Sequence, residues 1–209
     1  MKFSTLAALF LAVSLLSFAD TPAALALFDG KSLSDWEKVD IGGSGDVTLE
    51  DGQLIISQGD SVSGCVYKKT KDLPLQNYEI SLQAMRVSGS DFFCGLTFPI
   101  GDLKTCVTLV VGGWGGAVTG ISNIDGMDAS ENSTATMQRY ADNKWYKFKI
   151  RVTPKDIKVW LDDKEIINVE IEGRKLGVRP GPIESYLPLS FTTYQTTAAI
   201  KDVKITKLK

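Results

Sequence analysis

An all-β fold, a jelly-roll sandwich of two antiparallel sheets, is what this sequence predicts. Three observations carry that expectation. Beyond residue 19 no long segment keeps a helical apolar period, whereas short segments alternate apolar and polar residues at period two. Turn signals such as Asp51-Gly52 and Asp162-Asp163-Lys164 separate them. The result is about a dozen strand segments with long crossovers, more than a simple meander of hairpins needs.

Taken in order, Leu27–Leu33 reads as a short edge segment and a turn leading to Trp36. Val47–Glu50 and Gln53–Ser57 form a hairpin across Asp51-Gly52, because the tight primed turn needs positive φ. Cys65–Lys68 is another short strand. Tyr78–Val87 is long, with Tyr78, Ile80, Leu82 and Ala84 on one face. Phe92–Phe98 and Cys106–Val111 flank a turn holding Pro99, Gly101 and Asp102, a further hairpin. Ala117–Ile121 follows, and Thr134–Tyr140 reads equally as strand or short helix. In Trp145–Val152 the residues Tyr146, Phe148, Ile150 and Val152 face inward. Ile157–Leu161 and Glu165–Val169 pair as a hairpin that leaves Trp160 on the outer face. Arg174–Pro188 is a Gly- and Pro-rich loop; Leu187–Tyr194 and Ile200–Leu208 close the chain. In the last segment Ile200 is out of phase with Val203 and Ile205, which a bulge near Asp202 repairs.

The stretch Asp91–Asn132 is where a site is expected. Gly112-Gly113-Trp114-Gly115-Gly116 surrounds one indole with residues that cannot shield it. Asn123–Asn132 then carries Asp125, Asp128 and Glu131 with almost no bulky apolar residue. A buried framework thus ends in an open, glycine-lined, acidic surface.

The chain has 209 residues, enough for one sizeable core but not comfortably for two domains. Residues 1–19 differ from the rest. Lys2 is followed by the apolar run Leu6–Phe18, and Ser17-Phe18-Ala19 has the small-x-small cleavage pattern. This predicts a signal peptide, 1–19, and a single domain, 20–209, that is secreted or periplasmic and not inserted in a membrane after cleavage. Loss of Lys2 with the leader takes the formal charge from −2 to −3. A mildly acidic chain argues against nucleic acid or an anionic membrane as partner. Lys147, Lys149 and Arg151 alternate on one strand, as a solvated face does.

The ordered motifs identify a family resemblance. Leu27-Phe28-Asp29-Gly30-Lys31-Ser32-Leu33-Ser34-Asp35-Trp36 resembles the L-F-[ND]-G-K-x-L-x-x-W opening of the 3-keto-disaccharide hydrolase domain family. Glu50-Asp51-Gly52-Gln53-Leu54, Asn77-Tyr78-Glu79, Trp145-Tyr146-Lys147-Phe148, Ile157–Val169 and Ile200–Leu208 resemble its later strands in the same order. The resemblance spans Leu27–Leu208. It implies a concanavalin A-like jelly-roll β-sandwich of two antiparallel sheets and an enzyme, a glycoside hydrolase, cleaving 3-keto-disaccharides. It also implies a carbohydrate as the partner. Catalytic members can use a histidine-bearing, metal-assisted site. This chain has no histidine, so that site does not transfer. The stretch around Trp114 departs from the family's pattern too, which marks a divergent member.

Without histidine, serine–histidine and histidine–zinc chemistry is excluded, and carboxylate chemistry remains. A 3-keto sugar needs one base to take the acidified C2 proton, a partner for the developing enolate and a platform for the ring. Asp125 and Glu131 are the expected bases, Arg86 and Arg139 the enolate partners, and Trp114 the platform. Asn132 is placed with them as a substrate-binding residue. The alternatives are that the carboxylates are solvated or turn-capping and that Trp114 fills the core. No cofactor is expected, unless Asp125, Asp128 and Glu131 ligate Ca²⁺, whose spacing here matches no EF-hand loop. A non-catalytic, lectin-like module and a cell-surface interaction protein are the rival readings.

Cys65, Cys94 and Cys106 are the three cysteines. If the hairpin turns around Pro99-Ile100-Gly101, Cys94 faces Cys106 within disulfide reach and Cys65 remains free. A register shift of one residue would part the two sulfurs, and an odd count equally fits three reduced core cysteines.

Overall fold

The computed structural model describes residues 24–209; the expected leader, 1–19, lies outside them. Fifteen strands follow one another. They are β1 (Ala24–Phe28), β2 (Trp36–Lys38), β3 (Val47–Glu50), β4 (Gln53–Ile56), β5 (Ser63–Tyr67), β6 (Tyr78–Gly89), β7 (Cys94–Ile100) and β8 (Asp102–Gly112). After them come β9 (Val118–Ser122), β10 (Thr136–Met137), β11 (Tyr146–Val152), β12 (Asp156–Leu161), β13 (Lys164–Glu170), β14 (Ser190–Thr193) and β15 (Thr196–Lys207).

Two antiparallel sheets result. The larger runs β13-β12-β11-β6-β15-β4-β3, with β1 also on β15. The smaller runs β10-β9-β8-β7-β14-β5-β2. The chain is therefore an all-β sandwich, as expected, and one large apolar core fills the space between the sheets. Tyr78, Ile80, Leu82 and Ala84 of β6 face it, as do Tyr146, Phe148, Ile150 and Val152 of β11. β6 and β11 pair residue for residue, from Tyr146 opposite Ala84 to Val152 opposite Tyr78, so both inward rows stay in phase.

The turns do what their residues dictate. Asp51 and Gly52 have φ of 48° and 76°, the pair of left-handed residues a two-residue hairpin requires. Asp162 and Asp163 play the same part between β12 and β13, at φ 45° and 70°. The closing strand carries the expected bulge: its register against β6 shifts between Lys201 and Lys204, with Asp202 at φ 55°. The extra residue lets Ile200, Val203 and Ile205 all reach the core. Thr134–Tyr140 yields only the two-residue β10.

The cysteine pairing is corrected. β7 opposes Cys94 to Val111, and Cys106 to Pro99. The corner sits on Gly101, at φ 79°, rather than on Ile100, and the register then slips: Ile100 faces Asp102, but Pro99 faces Cys106. The resulting register differs from the expected one by an odd number of residues, and at period two that turns the sulfurs to opposite faces. Cys94 points into the core, while Cys106 packs on the outer face with Sγ 3.6 Å from the carbonyl oxygen of Pro188. Cys65, Cys94 and Cys106 are all free and buried. Burial pushes the Cys94 and Cys106 thiols up to about 12, and the Cys65 thiol higher still.

Candidate functional site

The site forms on the outer face of the smaller sheet. With Leu96, Phe98, Val107, Leu109, Val111 and Ile121 turned to the core, alternation sends Thr97, Thr108, Val110 and Ser122 outward. Thr108 opposes both Thr97 and Ser122 across neighbouring strands, and the Thr97 and Thr108 hydroxyls lie 2.9 Å apart. Thr108, Val110 and Ser122 are the floor of a cavity of about 240 Å³. Its walls are loop residues: Asp91 and Phe92 before β7, Trp114 after β8, Tyr194 after β14, and Arg179 and Ile183 from the long strap between β13 and β14.

Trp114 is exposed because of its backbone. β8 ends at Gly112 (φ 75°), and the chain reverses through Trp114 at φ 50°, ψ 54°, in the left-handed region that side chains avoid. Gly116, at φ 97°, completes the reversal; a Cβ there would meet Arg86 Nη1 at 3.0 Å. The indole is left 40% exposed. Asp91 fixes the turn from across the cavity mouth: its Oδ2 accepts from the Gly115 N–H at 3.0 Å and its Oδ1 from the Phe92 N–H at 2.8 Å. Each oxygen accepts one backbone bond and retains a further lone pair. Phe92 stacks against Tyr194 at 6.3 Å, and the Tyr194 N–H donates to the Phe92 carbonyl.

Arg179 is the cation of the cavity. Its guanidinium lies 5.8 Å from the Trp114 ring, within cation–π range. Its Nε is 3.4 Å from Asp128 Oδ2, while Asp128 Oδ1 accepts from the Ser122 hydroxyl at 3.3 Å. The strap that carries it is sewn to the acidic loop by the Asn123 N–H to the Gly177 carbonyl and the reverse bond at 3.2 Å.

The acidic loop itself is scaffold. Asp125 Oδ1 accepts from the Lys175 N–H at 2.9 Å and Oδ2 from Arg174 Nε at 2.5 Å. The Lys175 amide first, then Arg174, hold its carboxyl below the usual range. It lies outside the cavity lining and is occupied as a clip between two loops. Glu131 is exposed and accepts from the Asp128 N–H at 3.4 Å, a turn cap. Asn132 is buried; its Nδ2 donates to the carbonyls of Ile121, Met127 and Asp128, and its Oδ1 accepts from Thr134. Arg86 donates to Asp142 and to the Tyr140 carbonyl, behind the glycine turn rather than in the cavity. Arg139 is exposed and also outside the lining. Of the expected site residues, the structure brings only Trp114 to the cavity. Six of the nine residues that line the cavity nevertheless come from the stretch Asp91–Asn132.

Among the described residues no group of three or more acidic or cysteine side chains converges to hold a metal ion. The Ca²⁺ arrangement is therefore not built: Asp125 turns to Arg174, Asp128 to Arg179 and Ser122. With no histidine in the chain, the residues present do not fit the histidine-bearing metal site of the resemblance either.

No curated protein matches the chain in sequence. Solved structures match in fold. A protein from Parabacteroides distasonis described as a candidate glycosyl hydrolase superposes with a TM-score of 0.56 at 16% identity, covering 89% of this chain and 94% of the other. The carbohydrate binding module CBM66 from Bacillus subtilis does so with 0.54 at 13% identity, over 83% and 96%. The apo Crh5 transglycosylase reaches 0.63 at 11% identity, over 91% and 86%. At such identities each is a likeness of fold alone. The sequence is more specific: it matches the 3-keto-alpha-glucoside-1,2-lyase-like domain over residues 23–206, and the chain belongs to that carbohydrate-active family.

Proposed function

We propose that this protein cleaves the glycosidic bond of a 3-keto-glycoside, with the sugar ring seated on Trp114 in the Arg179 cavity. The observation that carries the reading is the left-handed turn that holds an exposed indole over a small cavity, pinned by the carboxylate of Asp91. The cavity is below the roughly 300–1,000 Å³ of drug-sized sites, a size suited to one ring rather than a long chain. Its largely aromatic and aliphatic walls suit the C–H face of a sugar, and Thr108, Ser122 and Arg179 offer donors to its oxygens.

In this reading Asp91 replaces Asp125 and Glu131 as the base, and Arg179 replaces Arg86 and Arg139 as the enolate partner. Asp91 takes the proton from C2. The electron pair moves into the C2–C3 bond, and the C3 oxygen gains the charge that Arg179 stabilises. The enolate then re-forms the ketone and expels the glycosidic oxygen from C1, which leaves with its bonding pair and takes a proton from water. The hydroxide so formed adds to C1 of the resulting 1,2-alkene and Asp91 returns its proton to C2, which completes a net hydrolysis. The lyase-like name of the family fits an elimination of this kind. We also propose export, on the leader pattern of residues 1–19; a mature N-terminus at Asp20 supports it and one at Met1 rejects it.

Incubation with 3-keto-sucrose or 3-keto-trehalose tests the reaction. Monosaccharide release that Asp91→Asn abolishes and Asp125→Asn leaves intact supports it. A second reading, a binding module without chemistry, is favoured by the absence of histidine and the mostly apolar lining. Saccharide binding lost in Trp114→Gly, with no release from either keto sugar, would establish that reading instead.

A further inference from the structure

The larger sheet has its own outer face, and it is not inert. With Phe148 and Ile150 turned inward, β11 sends Lys147 and Lys149 outward. Lys149 stands opposite Ser81 of β6, and Ser81 opposite Lys204 of β15. Two strand spacings separate the two lysine backbones, about 10 Å, with only a serine between. On the other side Lys149 opposes Trp160 of β12 and lies 4.4 Å from the centre of its ring. These residues and Lys147 line a groove of about 450 Å³, larger than the Trp114 cavity and on the opposite side of the sandwich.

The charge of this groove is unbalanced. Lys147, Lys149 and Lys204 form no ion pair with any described carboxylate, although the chain as a whole is acidic, at net −2. Two carboxylates do line it, both toward the Gln83 end: Asp163 in the β12–β13 turn, and Asp202, which accepts from Gln83 Nε2 at 2.7 Å. Nearby, Arg151 is neutralised by Glu79 at 2.6 Å. The row Trp160–Lys149–Ser81–Lys204 is therefore a flat strip with an indole toward one end, flanked by Lys149, by Arg151 at 5.4 Å and by Glu165 of β13 opposite it, and with two cations that no described carboxylate pairs.

We propose that this strip is a second saccharide site, for a glycan chain bearing carboxylates, a polyuronate. A flat glycan lies across a sheet face, presents a C–H face to the Trp160 indole and sets its carboxylates against Lys149 and Lys204. A neutral glycan leaves both cations unused. A nucleic acid strand is a polyanion too, but the groove offers it one indole and no row of aromatic rings for successive bases.

Affinity electrophoresis of the full chain through polygalacturonate tests it, with neutral glucan and single-stranded DNA as parallel arms. Retardation by polygalacturonate alone, falling as salt rises, is the expected result. Lys149→Gln/Lys204→Gln should weaken it by about tenfold, since two surface charges are removed. Trp160→Ala should weaken it as well, and Trp114→Gly should leave it unchanged. Cleavage of a 3-keto-disaccharide by the double lysine variant should equal that of the parent, so the two sites fail or stand separately. Equal retardation by DNA, retention in the double variant with its melting temperature preserved, or no retardation by polygalacturonate overturns the proposal.

Discussion

Two tryptophans separate a site residue from a core residue. Trp36 is 5% exposed, packs between Tyr67 and Phe191 at 5.2 and 5.3 Å, and donates from Nε1 to the Leu27 carbonyl at 2.9 Å. Trp36→Ala should cost about 3–5 kcal/mol from the cavity alone, and roughly 1 kcal/mol more for the lost hydrogen bond. Trp114 is 40% exposed, so it withholds some three-fifths of its surface from water. Of the roughly 150–250 Å² an aromatic residue buries, that is about 90–150 Å², or an upper bound near 2–4 kcal/mol. Trp114→Gly also removes a left-handed side chain, which returns about 1–2 kcal/mol. The net loss should be about 0–3 kcal/mol, below that of Trp36→Ala. Urea titration measures both, with unchanged slopes showing that only stability moved. Saccharide binding or turnover should fall at least about tenfold in Trp114→Gly, since stacking and cavity shape vanish together. The folded fraction of Trp36→Ala should bind as the parent does. If Trp114→Gly unfolds as readily as Trp36→Ala while its folded fraction binds sugar normally, the indole is a core residue and the cavity is not the site.

Phe148 is fully buried on β11, so Phe148→Ala should cost about 3–5 kcal/mol in a urea titration; a loss under about 1 kcal/mol would contradict the inward face of that strand. Asp125 has a depressed folded pKa, set by the Lys175 amide and Arg174. Its contribution to stability is therefore present above the ordinary value of 3.8 and lost as pH falls through the folded pKa. Asp125→Asn should flatten the urea midpoint against pH in that acidic range and leave turnover intact; a full loss of turnover in a folded variant would return Asp125 to the catalytic role. All three cysteines should map as free thiols by non-reducing peptide analysis and resist alkylation until the protein unfolds. A Cys94–Cys106 cross-link would refute the hairpin register.

What the sequence by itself determined is local. The inward rows of β6 and β11, the Asp51-Gly52 turn and the bulge at Asp202 follow from alternation and left-handed residues, which act within a few positions of the chain. The ordered motifs identified the family, and the glycine run marked Trp114 as exposed. Tertiary structure decided what depends on distance. The irregularity between Pro99 and Ile100 reversed the face of Cys106, because it shifts the register by an odd number of residues and at period two one residue is half a cycle. Asp125 looked free in an open acidic loop, but Arg174 and the Lys175 amide, remote in sequence, occupy both its oxygens. Arg179 sat in a loop with no periodicity to read, and the bonds between Asn123 and Gly177, with the Asp125 clip to Arg174 and Lys175, bring its strap beside Trp114. Asp91 lay at the very start of the marked stretch, yet its role comes from the Gly115 amide, which it meets only once β7 and β8 have paired. Side-chain pattern is written along the chain, whereas a cavity is written by loops that meet across it, and their meeting depends on packing energies that no short segment contains.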